Sequence, residues 1–311
     1  MKPSSPWPTW PSLCALPLAL VLGACPAQTP MQDDPSAAER QRTPFQTPLV
    51  TRHFVSFPTV GGGSTLQIAG QLNLPTQPQG KMPAVLIAHG SGGVDTRGAF
   101  HAQALNEAGI ATLEIDMWAA RGLAGGSDGR PKAVSETLPD AYGALKFLSA
   151  HPSIDASRIG ILGFSWGGVM AMLTATQRYA AMAEPGQRFV AHVPFYPVCW
   201  VYNRIPGYEF GSLTGAPVFI QAGGADDYDN PDSCQQLIDS LAPADHNLLT
   251  LTVYPGATHA FDRLEPAMQE TDPYSHLGQG GVVDIAPSPQ AAETARRAEV
   301  DFFRRAFGLT Q

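Results

Sequence analysis

The feature that most constrains this 311-residue chain is a G-x-S-x-G pentapeptide, which occurs twice. The copy around Ser165 follows the apolar run "IGIL" and precedes "VMAMLTATQ", which is rich in helix-forming residues. The copy around Ser127 follows "RGLAGG" and runs into Arg130 and Pro131, and proline keeps the residue before it out of the helical conformation. A nucleophilic serine of this kind needs a buried strand before it, a sharp turn and a helix after it. The sequence therefore predicts a nucleophile at Ser165 and a loop at Ser127.

Strand-like and helix-like segments alternate along the rest of the chain. Two opening strands, "RHFVSFP" and "LQIAGQLNLP", are predicted to be antiparallel. The further strand-like runs are "PAVLIAHG", "IATLEID", "RIGILGF", "FVAHVPFY", "APVFIQAGG" and "LLTLTVYPG". Helices are predicted over residues 100–108, 138–148, 166–177 and 233–241, and through "AAETARRAEVDFFRRAF". This alternation indicates a single-domain α/β fold, a mostly parallel eight-stranded sheet flanked by helices, with its sites at the carboxyl ends of the strands.

The N-terminal residues indicate export. Lys2, an apolar run from Leu13 to Leu22 and the sequence "LGAC" predict a lipoprotein-type signal peptide over residues 1–24, with a lipid on Cys25. The alternative is an ordinary secretory signal in which Cys25 is incidental. The polar, proline-bearing residues 25–48 are predicted to form a flexible tether to a catalytic domain over residues 49–311. We therefore expect an exported protein, anchored to a membrane through its N-terminal lipid and facing the periplasm or the cell surface.

Charge and cysteine content narrow the possible partners. The net charge is −8 and no basic run occurs, so nucleic acid is not an expected partner. In an oxidising compartment, Cys199 and Cys234 would remain after signal removal and lipidation, and both are predicted to follow strands on the same side of the sheet. A Cys199–Cys234 disulfide is therefore one hypothesis, and two unpaired cysteines are the alternative. Neither a metal-ligand cluster nor a dinucleotide fingerprint occurs in the sequence, so no metal or cofactor is expected.

A serine nucleophile needs a base, and in this fold an acid and then a histidine follow the serine along the chain. His259 comes directly after the last predicted strand in "VYPGATHAF" and is the preferred base. His192 lies within an apolar strand, His246 in a turn at the wrong edge and His276 in a long irregular loop.

The acid is expected just after the preceding strand, in "PVFIQAGGADDYDNP". Asp226 comes first after the glycine turn and is preferred, although Asp227 is a rival because one residue of loop slip would exchange them. Asp229 and Asp232 are interpreted as turn and helix-capping carboxylates.

Two backbone donors are needed to stabilise an oxyanion. The N–H of Trp166 follows the nucleophile and begins a helix, where N–H groups lack intrahelical partners. The second donor is expected in the glycine-rich loop after "VLIAHGSGG", from Ser91 or Gly92.

Four segments together resemble the dienelactone hydrolase family of the α/β-hydrolase superfamily: "LIAHGSGG", "DASRIGILGFSWGG", "PVFIQAGGADDYDNPDSC" and "VYPGATHAFD". The resemblance implies a nucleophile at Ser165, an acid at Asp226 and a base at His259. Dienelactone hydrolases proper carry cysteine as nucleophile where this chain has serine, which weakens a transfer of the dienelactone substrate. Arg121 lies near the position where the family places an arginine that holds a substrate carboxylate, with slightly longer spacing, and is the candidate substrate-binding residue.

These observations predict a serine hydrolase that cleaves a small-molecule carboxylic ester or lactone through an acyl-enzyme. Two alternatives stay open at this point. One is peptide or thioester cleavage by the same three residues, which the fold does not exclude. The other is a non-catalytic binding lipoprotein that retains the fold.

Overall fold

The structure is a computed structural model that describes residues 49–61, 63–76, 78 and 80–309. The predicted signal peptide, the lipidation site at Cys25 and the tether over residues 25–48 lie outside the described residues and stay predictions. In the part of the chain that is described, no helix has both the length and the apolar character needed to span a bilayer.

The described residues form an eight-stranded sheet, a separate two-stranded hairpin and flanking helices. The strands are β1 (Val50–Pro58), β2 (Gln67–Pro75), β3 (Met82–Ala88), β4 (Ala111–Asp116), β5 (Ile154–Phe164), β6 (His192–Phe195), β7 (Val218–Gly223), β8 (Leu249–Tyr254), β9 (Met268–Asp272) and β10 (Gly281–Ile285). The helices are α1 (Thr96–Glu107), α2 (Leu138–Ala150), α3 (Trp166–Thr174), α4 (Gln177–Ala180), α5 (Ser233–Asp239), α6 (Pro243–His246) and α7 (Pro289–Ala306). Short helical turns cover Ala119–Arg121, Val134–Thr137, Cys199–Val201 and Ser275–Gly278.

The large sheet has the order β1-β2-β4-β3-β5-β6-β7-β8. β1 pairs with β2, and β2 with β4, in antiparallel fashion, and the remaining neighbours are parallel. The predicted fold class and the antiparallel opening pair are confirmed. The parallel strands read as continuous apolar runs because helices cover both faces, and all seven residues of β3 are buried.

Helix boundaries differ from the predicted ones where a side chain caps the backbone. α1 begins at Thr96 rather than at residue 100, because the carboxylate of Asp95 accepts the N–H of Arg97 at 3.1 Å. The predicted helix over residues 166–177 ends at Thr174, and Thr176 begins α4 by accepting the N–H of Tyr179. Side-chain capping of this kind leaves only a weak signal in a hydrophobic pattern.

The segment after His259, predicted to be an irregular loop, contains the antiparallel hairpin β9–β10. Its connection includes His276 and Leu277 with φ of 50° and 58°, which places both in the left-handed region that such residues rarely adopt. The hairpin is tied to the domain through Asp272, whose carboxylate lies 2.7 Å from the guanidinium of Arg130. The prediction of an irregular loop was wrong for this segment.

Cys199 and Cys234 are joined by a disulfide across a sequence separation of 35 residues. Cys199 begins the turn after β6, and Cys234 lies in the first turn of α5. The carboxylate of Asp229 holds the same turn, because it accepts the N–H groups of Cys199 and Trp200 at 2.6 and 2.8 Å. The turn is therefore attached covalently to α5 and by hydrogen bonds to the loop between β7 and α5.

Replacing both bonded cysteines by alanine should lower the free energy of unfolding by about 2–4 kcal/mol, because the unfolded chain gains the entropy of an open loop. Urea unfolding of the wild type and of the Cys199→Ala/Cys234→Ala variant measures the difference. Addition of reductant to the wild type should produce a similar loss. Two titratable thiols in the untreated protein would contradict the pairing.

Candidate active site

Ser165 lies between β5 and α3 in a strained backbone conformation, with φ 51° and ψ −107°. The adjacent turn leaves no room for side chains. A Cβ atom at Gly163 would stand 2.0 Å from the carbonyl oxygen of Gly167, and a Cβ at Gly167 would stand 2.1 Å from that of Ala88. Only glycine fits at these two positions, and the strand–turn–helix setting predicted for Ser165 is present.

Three side chains from separate parts of the chain form a hydrogen-bonded series. The hydroxyl of Ser165 lies 2.9 Å from Nε2 of His259, and Nδ1 of His259 lies 2.8 Å from the Asp226 carboxylate. All three residues are buried, and Asp226 and His259 follow β7 and β8. The arrangement suits transfer of the serine proton to Nε2 while the carboxylate holds the other ring nitrogen as a donor.

The rival acid and the other histidines are engaged elsewhere. The carboxylate of Asp227 accepts the N–H of Asp284 at 2.8 Å, so Asp226 is the member of the pair that contacts His259. His192 is fully buried, its Nδ1 lies 3.0 Å from the Ala171 carbonyl, and burial lowers its pKa to about 4.

His246 and His276 are exposed. His276 Nε2 lies 2.8 Å from the carbonyl oxygen of Val282, within the hairpin. Ser127 lies in a loop, and its N–H donates to the carboxylate of Glu270 at 3.1 Å.

The glycine-rich loop after β3 is joined to the turn at Ser165. The N–H of Gly167 donates to the carbonyl of His89 at 3.1 Å. Burial lowers the pKa of His89 to about 4, so the ring is neutral and accepts the N–H of Met117 at Nε2, at 3.0 Å. With Nε2 as acceptor, Nδ1 carries the proton and donates to the carbonyl of Gly90 at 2.7 Å. A neutral, fully engaged imidazole therefore fixes the start of this loop.

Ser91 and Gly92, the candidate second donors, line the same cavity as Ser165 and His259. The carbonyl oxygen of Ser91 accepts from the Trp118 indole at 2.9 Å and from the N–H of Gly126 at 2.7 Å. Trp166 begins α3, so the helix makes no demand on its N–H. Trp166 directly follows the serine, Ser91 and Gly92 share a cavity with it, and the choice between Ser91 and Gly92 stays open.

Arg121 is not brought to the serine. Its guanidinium contacts both oxygens of the buried Asp140 carboxylate, at 2.7 and 3.0 Å, and the carbonyls of Met117 and Glu136. It is absent from the residues that line the two cavities at Ser165. The expected substrate-binding role of Arg121 is therefore corrected to a structural one, because its guanidinium is paired with Asp140, 19 residues later in the chain.

Two tyrosines that no sequence pattern distinguishes flank the imidazole of His259. The ring of Tyr228 lies 4.3 Å from the imidazole, and that of Tyr196 lies 4.7 Å away, edge to face. Tyr196 has φ 36°, and its N–H donates to the carbonyl of Gln221 at 2.7 Å. Both tyrosines follow strands, but that position alone does not separate them from ordinary core aromatics.

A fully buried ionic cluster lies beyond Tyr196. Nε2 of His101 lies 2.8 Å from the Asp262 carboxylate, and Nδ1 lies 2.8 Å from that of Glu299. Burial opposes charge on His101, but the two carboxylates more than offset it and raise the pKa of His101 to about 9. The hydroxyl of Tyr196 donates to Asp262 at 2.6 Å and accepts from Arg97 at 3.1 Å. The cluster therefore joins α1 and α7 to the support of His259.

One group of metal-ligating atom types stands out among the described residues, formed by Cys199, Asp229 and Cys234. Its two sulfur atoms are bonded to each other, and the carboxylate accepts two backbone N–H groups. A disulfide has no thiolate to offer a cation, so the group does not fit a metal ion.

A model of the dienelactone hydrolase family matches residues 68–307. The chain belongs to the dienelactone hydrolase family. A putative carboxymethylenebutenolidase of Methylorubrum extorquens is 25% identical over 271 residues, which cover 73% of this chain and 88% of that protein. A stretch of 52 residues is 42% identical to the uncharacterized peptidase YtmA of Bacillus subtilis, and it spans 17% of this chain and 20% of that relative's length.

Among solved structures, the chain is similar to the dienelactone hydrolase-like promiscuous phosphotriesterase P91 from metagenomic libraries. The TM-score is 0.60 with 20% identity, and the match covers 84% of this chain and 100% of the other. At that identity the likeness concerns the fold. The resemblance seen in the sequence is confirmed, and the family supports a hydrolase that acts on a small molecule.

Replacing Arg121 by methionine should lower the free energy of unfolding by about 3 kcal/mol, because the buried Asp140 loses its cation. The ratio of kcat/KM for esters with and without a free carboxylate should stay unchanged. Urea unfolding and steady-state kinetics test the two expectations, with Arg188→Met, at an exposed position, as the control. A selective loss of activity on carboxylate-bearing esters would return Arg121 to substrate binding.

Replacing His101 by glutamine should lower the free energy of unfolding by about 3–5 kcal/mol at pH 6, because two buried carboxylates lose their shared cation. The raised pKa means that the stabilising charge is fully present below the unfolded pKa of about 6.5. It is lost as pH rises through about 9, so the gap between wild type and variant should narrow over that range. The exposed His246→Gln variant is the control, and a gap that widens with pH would contradict a protonated His101.

Proposed function

We propose that the protein is a serine hydrolase that cleaves a carboxylic ester or a lactone through an acyl-enzyme. The observation that carries the proposal is the series from Ser165 through His259 to Asp226, with contacts of 2.9 and 2.8 Å at the carboxyl ends of three strands. Membership in the dienelactone hydrolase family supports the same chemistry. The relative named a putative carboxymethylenebutenolidase, which the match covers over 88% of its length, favours an ester or lactone over an amide.

In the first half-reaction, the hydroxyl oxygen of Ser165 attacks the substrate carbonyl while Nε2 of His259 takes the proton. The Asp226 carboxylate accepts Nδ1–H and stabilises the imidazolium. The oxyanion is bound by the N–H of Trp166 and by that of Ser91 or Gly92, and each such donor contributes about 3 kcal/mol to transition-state stabilisation.

Collapse of the tetrahedral intermediate breaks the bond to the leaving oxygen, which receives the proton from Nε2. The product alcohol departs from an ester, whereas in a lactone the hydroxyl stays attached to the acyl group. Water then repeats the sequence at the acyl carbonyl: His259 takes its proton, the acid is released and Ser165 regains its hydrogen. One water is consumed; an ester gives an acid and an alcohol, and a lactone gives a single hydroxy acid.

Replacing Ser165 by alanine should lower kcat on any hydrolysed ester by at least about 10⁴-fold, because the acyl-enzyme can no longer form. Labelling by a fluorophosphonate probe should disappear with it. Ser127→Ala is a matched control, since it removes the other serine set in G-x-S-x-G, and it should keep both activity and labelling.

A panel of aryl esters, lactones, thioesters and aminoacyl amides, with each variant's fold checked by circular dichroism, defines the bond that is cleaved. Persistent labelling of folded Ser165→Ala would contradict the assignment of the nucleophile. Turnover of amides alone would replace the ester and lactone proposal with a peptidase.

A further inference from the structure

Two cavities of different character meet at Ser165. The apolar cavity is lined chiefly by Val134, Val169, Val198, Val201, Ile205 and Trp166, and its volume is about 60 Å³. The second cavity, called the polar cavity because four charged side chains line it, has a volume of about 480 Å³. Its wall consists of Asp95, Arg97, Arg263, Glu270, His259, the glycine-rich loop and the apolar Met268 and Ile285. Ser165 and Tyr228 line both cavities. A carbonyl carbon that Ser165 attacks therefore lies where the two spaces join, with one part of the substrate in each.

The position of His259 decides which part of an ester enters which cavity. Nε2 of His259 must come within about 2.6–3.2 Å of the leaving oxygen to deliver its proton. His259 lines the polar cavity and is not among the residues that line the apolar one. The leaving alcohol therefore occupies the polar cavity, and the acyl group occupies the apolar one.

The walls of the apolar cavity favour an uncharged acyl group. Two cations also line it. The guanidinium of Arg130 lies 2.7 Å from the fully buried Asp272 carboxylate and over the rings of Trp166 and Tyr274, and that carboxylate neutralises it and would repel an acid on the acyl group. Lys132 is exposed to water, which screens its charge and weakens its attraction for such an acid. The branched aliphatic side chains gain most from contact with an apolar group, and the aromatic rings favour one that carries an aryl ring.

The polar cavity favours a leaving alcohol that carries further hydroxyl groups. Asp95, Arg97, Arg263 and Glu270 line its wall, where the buried Arg97 is paired with Asp95, and Asp95, Arg263 and Glu270 stay partly exposed. An alkyl alcohol would remove water from the three partly exposed groups without offering a hydrogen bond in return, which costs free energy. The larger volume also admits an alcohol bulkier than the acyl group.

We propose that the substrate is an ester of a hydroxyl-rich alcohol with an acid whose acyl group is uncharged and carries an aryl ring. The acyl group occupies the apolar cavity and the alcohol the polar one. The inference rests on the proposed acyl-enzyme chemistry at Ser165. The reaction consumes one water and releases the apolar acid and the polyol.

The first test crosses acyl groups with alcohols in the purified protein. Phenylacetic acid, acetic acid and succinic acid are each esterified with glycerol and with 1-propanol, and acid release is followed by titration. Each kcat/KM is divided by the alkaline hydrolysis rate of the same ester to remove intrinsic reactivity. We expect glyceryl phenylacetate to be the best substrate, with a preference of about tenfold or more along each axis. A higher value for the succinates or for the propyl esters would overturn the inference.

The second test fills the apolar cavity. Ile205→Trp should lower kcat/KM for the phenylacetates by about tenfold or more, leave the acetates nearly unchanged and keep the preference for glycerol. Val282→Trp is the control, because Val282 is exposed on β10 and lines neither cavity. A variant that changes the alcohol preference instead would show that the two parts of the substrate lie in the opposite cavities.

Different results would contradict the substrate inference and the proposed function. If Ser165-dependent turnover occurs with the wrong preferences, only the substrate inference falls. If no ester is hydrolysed and no fluorophosphonate labels Ser165, the proposed function falls with it. Should Ile205→Trp not fold, as judged by circular dichroism, the crossed esters on the wild type still decide the question.

Discussion

The backbone turn at Ser165 is the constraint on which the rest of the site depends. The close approaches that allow only glycine at positions 163 and 167 involve the end of β3 as well as the turn itself. The N–H of Gly167 donates to the backbone carbonyl of His89. A Cβ at Gly168 would stand 2.6 Å from the carbonyl oxygen of Phe195, at the end of β6. The contacts of this turn therefore fix the position of the serine, of the glycine-rich loop after β3 and of α3 on the sheet. Any side chain at these glycines would move all three together.

The candidate site could be predicted from sequence because its residues obey local rules. Ser165 needs a strand before it and a helix after it, and both elements have strong hydrophobic patterns. Asp226 and His259 each follow a buried strand directly, so the parallel sheet brings them to the same edge. The choice between Asp226 and Asp227 could not be made in this way, because it depends on which carboxylate the loop turns inward. The Asp227 carboxylate instead accepts the N–H of Asp284, which lies in a hairpin far along the chain.

Features that depend on tertiary partners could not be predicted. Arg121 stands in a plausible position for a substrate, but the acid that binds it is a buried residue of α2, and no spacing rule connects the two. The hairpin β9–β10 was missed because "MQETD" has few of the residues typical of strands, and its register depends on pairing with β10. Its connection uses left-handed histidine and leucine, where a turn rule looks for glycine or asparagine.

The supports of the site carry charge in places where an apolar core would cost less free energy. Burial alone would raise the pKa of Asp262, but His101, Arg97 and Tyr196 hold it below its usual value. This carboxylate, three residues after His259, orients Tyr196, whose ring packs edge to face on the imidazole. A directional network of this kind fixes a ring more narrowly than dispersion contacts do, since both the distances and the angles of its hydrogen bonds are restricted.

Asp229 is a further buried carboxylate that supports the site. Burial, and then the charge of Asp226, raise the pKa of Asp229 to about 7. Its carboxylate binds the turn that carries the disulfide, and the flanking residues Val198 and Val201 line the apolar cavity. The loop that presents Asp226 to His259 is thus the loop that holds the wall of that cavity. A substitution at Val198 or Val201 can therefore disturb Asp226. The proposed acyl preference is better altered at Ile205, which lines the same cavity but follows the turn.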